Sequence, residues 1–205
     1  IEIFGVEASL NHIVGMFAFA LWDCKFKSLI LARDRIGEKP LYYGLQKDTL
    51  LFGSDLKSLK QHPDFQGEIN RDAVALLMRY GYIPSPSSIY SGIHKLPPGS
   101  YIKFESPRSL TEPQYYWKLS NVISKSNFKN YPYGYKHSVQ KLDTLLGDSV
   151  EGQMISDVPV GTFLSGGIDS STITALAQSR SENQLKTFTI GFDEELYNEA
   201  HHAKE

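Results

Sequence analysis

Residues 158 to 192 constrain this chain more than any other stretch. Val158 to Leu164 (VPVGTFL) reads as a strand, Ser165 to Asp169 as a glycine-rich loop, Ser170 to Gln178 as a helix and Thr187 to Phe192 (TFTIGF) as a second strand. Strands joined by a crossover helix run parallel, whereas an antiparallel return needs only a short turn. A parallel sheet is stable when both its faces are covered, and two strands are too few for that. The segment is therefore expected to be an incomplete α/β domain, and poorly stable by itself. The helix predicted before it carries Val139, Leu142, Leu146 and Val150 at three- and four-residue steps, which gives one apolar face.

The first half follows a different rule. Residues 4 to 15 read as the end of a helix, with Ala8, Leu10 and Ile13 as its apolar positions. Met16 to Trp22 reads as a buried strand and Leu29 to Ala32 as its hairpin partner. Leu41 to Gly44 and Leu50 to Gly53 form a second hairpin, with Asp48-Thr49 at the turn. Asn70 is placed to N-cap a helix running to about Tyr80. Tyr101 to Phe104 is a further strand, and Tyr115 to Leu119 is expected to pair with it. Short strands joined by tight turns make an antiparallel sheet, so the first part is α+β. Residues 120 to 136 are polar and form the expected linker, which divides the chain at 1–125 and 126–205.

Composition narrows the function classes. With 21 Lys and Arg against 23 Asp and Glu, and no charge run, nothing favours nucleic acid or an anionic membrane. No apolar stretch reaches the roughly 18 residues of a membrane span. One cysteine, Cys24, excludes an internal disulfide framework, so a cytoplasmic location is expected. Cys24 lies at a strand end and reads as structural. The chain opens on Ile1 rather than Met and is expected to be cut at both ends.

The chemistry sits in Ser165-Gly166-Gly167-Ile168-Asp169-Ser170-Ser171. Two glycines allow a sharp turn and a close backbone approach to a ligand. The helix start adds free N–H donors and partial positive charge. Ser165, Ser170 and Ser171 add hydroxyls, and Asp169 is a natural ligand for a Mg²⁺ carried on phosphates. No Gly-Lys-Ser/Thr follows, so this is not a Walker A loop.

The loop resembles the S-G-G-x-D-S pyrophosphate loop of the ATP pyrophosphatase superfamily, which implies cleavage between the α and β phosphates of ATP. Other segments narrow the resemblance. Gly15 to Asp23 (GMFAFALWD) and Leu31 to Tyr43 (LARDRIGEKPLYY) are similar to runs of the glutamine-dependent asparagine synthetases. Phe52 to Ser58 (FGSDLKS) resembles another, with Gly53, Asp55 and Ser58 as departures. Tyr82 to Pro86, Lys95 to Gly99 and Ser156 to Gly161 match in the same order.

This resemblance implies the back part of an N-terminal-nucleophile glutaminase domain (class II amidotransferase), followed by an incomplete Rossmann-like ATP pyrophosphatase domain. It implies ATP-dependent amidation of aspartate to asparagine through β-aspartyl-AMP, with ammonia drawn from glutamine. ATP and Mg²⁺ are then the cofactors, and glutamine, aspartate and ATP the partners. The family often dimerises, which leaves a homodimer open. By the same resemblance the glutaminase cysteine and its glutamine-binding segments lie upstream of residue 1, so the glutaminase contributes no catalytic residue here and this stretch alone is expected to be inactive. Leu164 and Ile190 match positions where the adenosine end of ATP packs, although both are also ordinary core residues. An amidotransferase acting on a sugar acid, a β-lactam synthetase-like enzyme and an inactive remnant stay open, because the acid pocket is expected downstream.

Two other clusters have plain readings. Arg33, Asp34, Arg35 and Lys39 are expected to form a loop held by ion pairs. His201-His202 lacks the i, i+4 spacing of a helical metal site.

Overall fold

The computed structural model describes residues 1–108, 111–125, 134–194 and 198–204. The chain divides into two units, Ile1–Ser126 and Asn127–Glu205. Among the described residues no helix is long and apolar enough to cross a membrane.

Unit 1 is α+β and holds two antiparallel sheets. The first has the order β1 (Ala18–Asp23), β2 (Ser28–Arg33), β6 (Ser100–Phe104), β7 (Gln114–Tyr115). The second has the order β4 (Thr49–Gly53), β3 (Tyr42–Gln46), β5 (His94–Lys95). Strand alternation decides what each face meets. Leu31, Ile102 and Phe104 from the first sheet join Tyr43 of β3, with Leu41 and Leu96, in one buried cluster. Ala32 faces the other way, in a second cluster with Leu10 of α1 (Val6–His12) and Tyr116. Leu51, Leu59 of α2 (Leu56–Leu59) and Ile93 make a third.

Several expectations shift here. The strand expected over Met16–Trp22 begins at Ala18 and is not buried, with Trp22 55% exposed. Among the described residues it stands at the end of its sheet, with β2 as its one neighbouring strand. In the second hairpin Thr49 pairs with Gln46, so the turn is Lys47-Asp48, with Lys47 at φ 54°. Of the segment Tyr115–Leu119, only Tyr115 joins a ladder, opposite Ser100, and Leu119 opens a helix. In the first helix Ala8 is exposed, while Ser9 and Leu10 are buried.

α3 (Arg71–Tyr80) follows its sequence signals at both ends. The Asn70 side chain accepts from the N–H groups of Asp72 and Ala73, and Gly81 closes the helix at φ 75°. The expected linker is partly helical. Leu119, Val122 and Ile123 stand at three- and four-residue steps and give α4 (Leu119–Lys125) an apolar stripe that the polar composition hides. Residues 126–133, and with them the boundary expected after residue 125, lie outside the described residues.

The Arg33–Pro40 loop is held differently from the expectation. Among the described residues no ion pair within 4.0 Å involves Arg33, Asp34, Arg35 or Lys39. Asp34 is 1% exposed, and its carboxylate accepts from the N–H groups of Gly37 (2.6 Å), Glu38 (2.9 Å), Lys39 (3.0 Å) and Ile36 (3.2 Å). Phe17 N–H adds a longer contact of 3.4 Å. Burial alone pushes the carboxyl upward, but the backbone donors outweigh it and hold Asp34 below the usual carboxylate range. The Arg33 guanidinium donates to the carbonyls of Gly37, Lys39 and Leu96. Arg35 donates to the carbonyls of Asn11 and Ile13 at the end of α1. Among the described residues the hydrogen bonds of the Arg33, Asp34 and Arg35 side chains all go to backbone groups, not to one another.

Unit 2 contains α5 (Tyr135–Gln153), β8 (Gly161–Phe163), α6 (Ile168–Ser179), β9 (Lys186–Phe188) and α7 (Ala200–Lys204). β8 and β9 pair in parallel, with Phe163 opposite Phe188, and α6 is the crossover between them. Both strands are shorter than expected. One further bond, from Leu164 N–H to the Phe188 carbonyl, extends the ladder before the chain turns at Ser165. α6 starts at Ile168, so the expected loop already contains its first two residues. On the α5 face, Val150 is buried and Leu146 half-buried, while Val139 and Leu142 are exposed.

Candidate functional site

The loop after β8 is stitched across its own mouth. Ser170 Oγ accepts from Ser165 N–H at 3.2 Å, lies 3.0 Å from Ser165 Oγ and donates to the Gly167 carbonyl at 3.1 Å. Ser171 N–H donates to the Gly167 carbonyl and closes the first turn of α6. The Thr189 hydroxyl donates to the Leu164 carbonyl at 2.8 Å, which fastens the loop entrance to the segment after β9. By contrast, the N–H groups of Gly166, Gly167, Ile168 and Asp169 donate to no described residue. Unpaired backbone donors at a helix start are the groups that receive an anion.

The two glycines play different parts. Gly166 sits at φ 78°, and a Cβ there would lie 2.4 Å from His202 Cβ and 2.9 Å from the Ala203 nitrogen. Gly166 therefore lets α7 dock on the loop. Gly167 has φ −76°, and among the described residues a Cβ there would meet only Ser165 Oγ, at an ordinary 3.5 Å. Nothing among the described residues demands glycine at position 167.

Beside the loop lies a cavity of about 320 Å³ at the C-terminal ends of β8 and β9. Of the sequence candidates, Leu164, Ser165, Ser170 and Ile190 line it. Gly166, Gly167, Asp169 and Ser171 do not; they form the loop and helix start next to it. Phe163, Phe188, Thr189, Phe192 and Glu199 also line the cavity and were not singled out from sequence. The TFTIGF run held a signal for three of them, since a segment leaving a parallel strand beside a glycine-rich loop faces the crevice at the strand ends. Glu199 carried no local signal.

Asp169 is exposed in the first turn of α6, and its carboxylate has no hydrogen bond or ion pair with a described residue. Such a carboxylate beside free N–H donors fits a hard cation that arrives on phosphate oxygens. Among the described residues no group of three or more His, Cys, Asp and Glu could hold a metal by itself. Cys24 is exposed in the turn between β1 and β2.

Comparison with known proteins divides the chain in the same sense. The model of a glutamine amidotransferase domain matches residues 1–117, and that of asparagine synthase matches residues 141–205. Two asparagine synthetases [glutamine-hydrolyzing] of Bacillus subtilis (strain 168) are similar along most of the chain. Number 3 is 35% identical over 193 residues, which is 92% of this chain and 30% of that protein. Number 1 is 36% identical over 199 residues, which is 97% of this chain and 30% of that protein. The chain thus spans about a third of the length of these relatives. With an amidotransferase match on the antiparallel unit, an asparagine synthase match on the parallel one, and both in the order of the relatives, the chain belongs to the glutamine-hydrolysing asparagine synthetase family.

Proposed function

We propose that the protein converts aspartate to asparagine with ATP and ammonia drawn from glutamine, and that unit 2 supplies the site for the pyrophosphate end of ATP. Residues 1–125 are read as glutaminase, and residues 126–205 as the start of a Rossmann-like ATP pyrophosphatase domain. One observation carries the reading: the free N–H groups of Gly166 to Asp169 border a cavity at the ends of two parallel strands.

In this reading the aspartate side-chain carboxylate attacks the α phosphorus of ATP. The bond to the β-phosphate oxygen breaks, giving β-aspartyl-AMP and pyrophosphate. Ammonia then adds to the acyl carbon, and AMP leaves. The N–H groups of Gly166, Gly167, Ile168 and Asp169 receive the charge gathering on pyrophosphate, helped by the hydroxyls of Ser165, Ser170 and Ser171. Donors fixed in place before reaction need no reorganisation, and losing one such donor costs about 10²–10³ in rate. Leu164 and Ile190 pack the adenosine. Asp169 is the residue suited to hold a Mg²⁺ on the phosphates, where it would offset the negative charge of the leaving group.

The test is ATP–pyrophosphate exchange by the intact protein, with aspartate and a panel of other carboxylic acids. Exchange that depends on aspartate is the expected result. Exchange with a different acid would keep the phosphate site and replace the substrate, moving the protein to the sugar-acid or β-lactam synthetase-like readings. No exchange with any acid would overturn the adenylation chemistry.

A further inference from the structure

The cavity beside the loop is mostly apolar, with Phe163, Leu164, Phe188, Ile190 and Phe192 on its wall, and among the described residues Glu199 is its one charged lining residue. Sequence offers no reason to place Glu199 there. The structure does so through α7. Gly166 gives up its Cβ space to His202 and Ala203, which fixes α7 against the phosphate loop. Ala203 N–H donates to the Glu199 carbonyl at 3.1 Å, so Glu199 stands one helical turn, roughly 5 Å, before that contact. Its carboxylate has no hydrogen bond or ion pair with a described residue.

We infer that Glu199 reads the nucleoside of the bound nucleotide. This rests on the reading of the loop as an ATP site. A carboxylate only accepts hydrogen bonds, so its counterpart must be a donor. Phosphate oxygens at neutral pH are acceptors of like charge and are repelled. The donors a nucleotide offers away from its phosphates are the ribose hydroxyls and an exocyclic amino group on the base. A carboxylate one turn from the loop, on a wall whose other described members are apolar or hydroxyl side chains, is placed for that end. Glu199 is thus a specificity residue, and the donor-facing counterpart of the anion-facing loop.

The test measures equilibrium binding of Mg-ATP, Mg-2′-deoxyATP, Mg-3′-deoxyATP, Mg-ITP and Mg-pyrophosphate to the full chain and to its Glu199→Gln and Glu199→Ala variants. Circular dichroism of each variant checks folding; Glu199 is exposed, so no change is expected. Loss of a hydrogen bond to a charged group should weaken ATP roughly ten- to a hundredfold in Glu199→Ala, with pyrophosphate binding unchanged. If the donor is a ribose hydroxyl, the matching deoxynucleotide shows no further loss on substitution. If it is the amino group, ITP shows none. Equal weakening of ATP, both deoxynucleotides and ITP would overturn the inference, as would unchanged ATP affinity. Weaker pyrophosphate binding would also overturn it, because Glu199 would then act at the phosphates. Failure of the unsubstituted chain to bind either ATP or pyrophosphate would instead overturn the reading of the loop, and the inference with it.

Discussion

Both units carry a run of consecutive backbone N–H groups free of the regular ladders, but they complete it differently. In unit 1 the donors at Ile36 to Lys39 converge on the buried carboxylate of Asp34. In unit 2 the donors at Gly166 to Asp169 meet no described acceptor and stand beside a cavity. The physical chemistry is the same: an anion is stabilised by several oriented N–H dipoles. Where the anion is built into the chain, the cluster holds the fold. Where it is not, the cluster can hold a ligand. Burial follows the same division. Of the buried apolar residues among those described, only Val150 and Ala177 belong to unit 2. Phe163, Phe188 and Ile190, at 78%, 55% and 66% exposure, leave the parallel pair largely uncovered.

The largest effect should come from emptying the closed cluster. Asp34→Ala leaves several part-buried N–H groups without their side-chain acceptor and should destabilise unit 1 by about 2–3 kcal/mol. Segment-resolved hydrogen exchange under denaturant would locate the loss in β1, β2 and β6, with nucleotide affinity in unit 2 unchanged. A loss below about 1 kcal/mol would show that the loop is held by something else.

Acid should reproduce part of this effect. The folded Asp34 carboxyl is held below its ordinary value of about 3.9. Its contribution is therefore fully present above that value and is lost as pH falls through the lower, folded one. The stability difference between the native chain and Asp34→Asn should be constant near neutrality and shrink below about pH 4. A difference that stayed flat down to pH 2 would mean that Asp34 is not the titrating group.

In the open cluster, substitutions at the two glycines should separate packing from binding. Gly166→Ala puts a side chain at φ 78° and against the α7 backbone. The left-handed backbone alone costs about 1–2 kcal/mol. Loss of exchange protection at 200–204 would reveal the displaced helix, whereas full protection there would show that α7 does not depend on this contact.

Much of the chain was legible because the signals were local. The Asn70 cap, the Gly81 stop and the two hairpins each follow from residues within a few positions of one another. So does the strand–loop–helix order around Gly166-Gly167. The ion-pair expectation fails because Arg33, Asp34, Arg35 and Lys39 look like partners in a list of side chains, whereas the hydrogen-bond partners of Arg33, Asp34 and Arg35 are backbone groups with no letter of their own. The α4 stripe was hidden by its polar neighbours. Glu199 lines the cavity in a segment that packs on Gly166 through His202 and Ala203, a contact between residues far apart in sequence.

The central claim is that the open N–H cluster is completed by phosphate, and Gly167→Ala tests it most directly. A Cβ at this position meets nothing closer than 3.5 Å among the described residues, at a φ that any residue adopts. Thermal stability and exchange protection without nucleotide should therefore stay within about 0.5 kcal/mol of the parent. Calorimetric titration should nevertheless show Mg-ATP and Mg-pyrophosphate affinity falling by about tenfold or more, because the added methyl occupies the approach to the N–H donors. Unchanged stability with unchanged affinity for both ligands would contradict the account, and would leave this loop a turn between a strand and a helix.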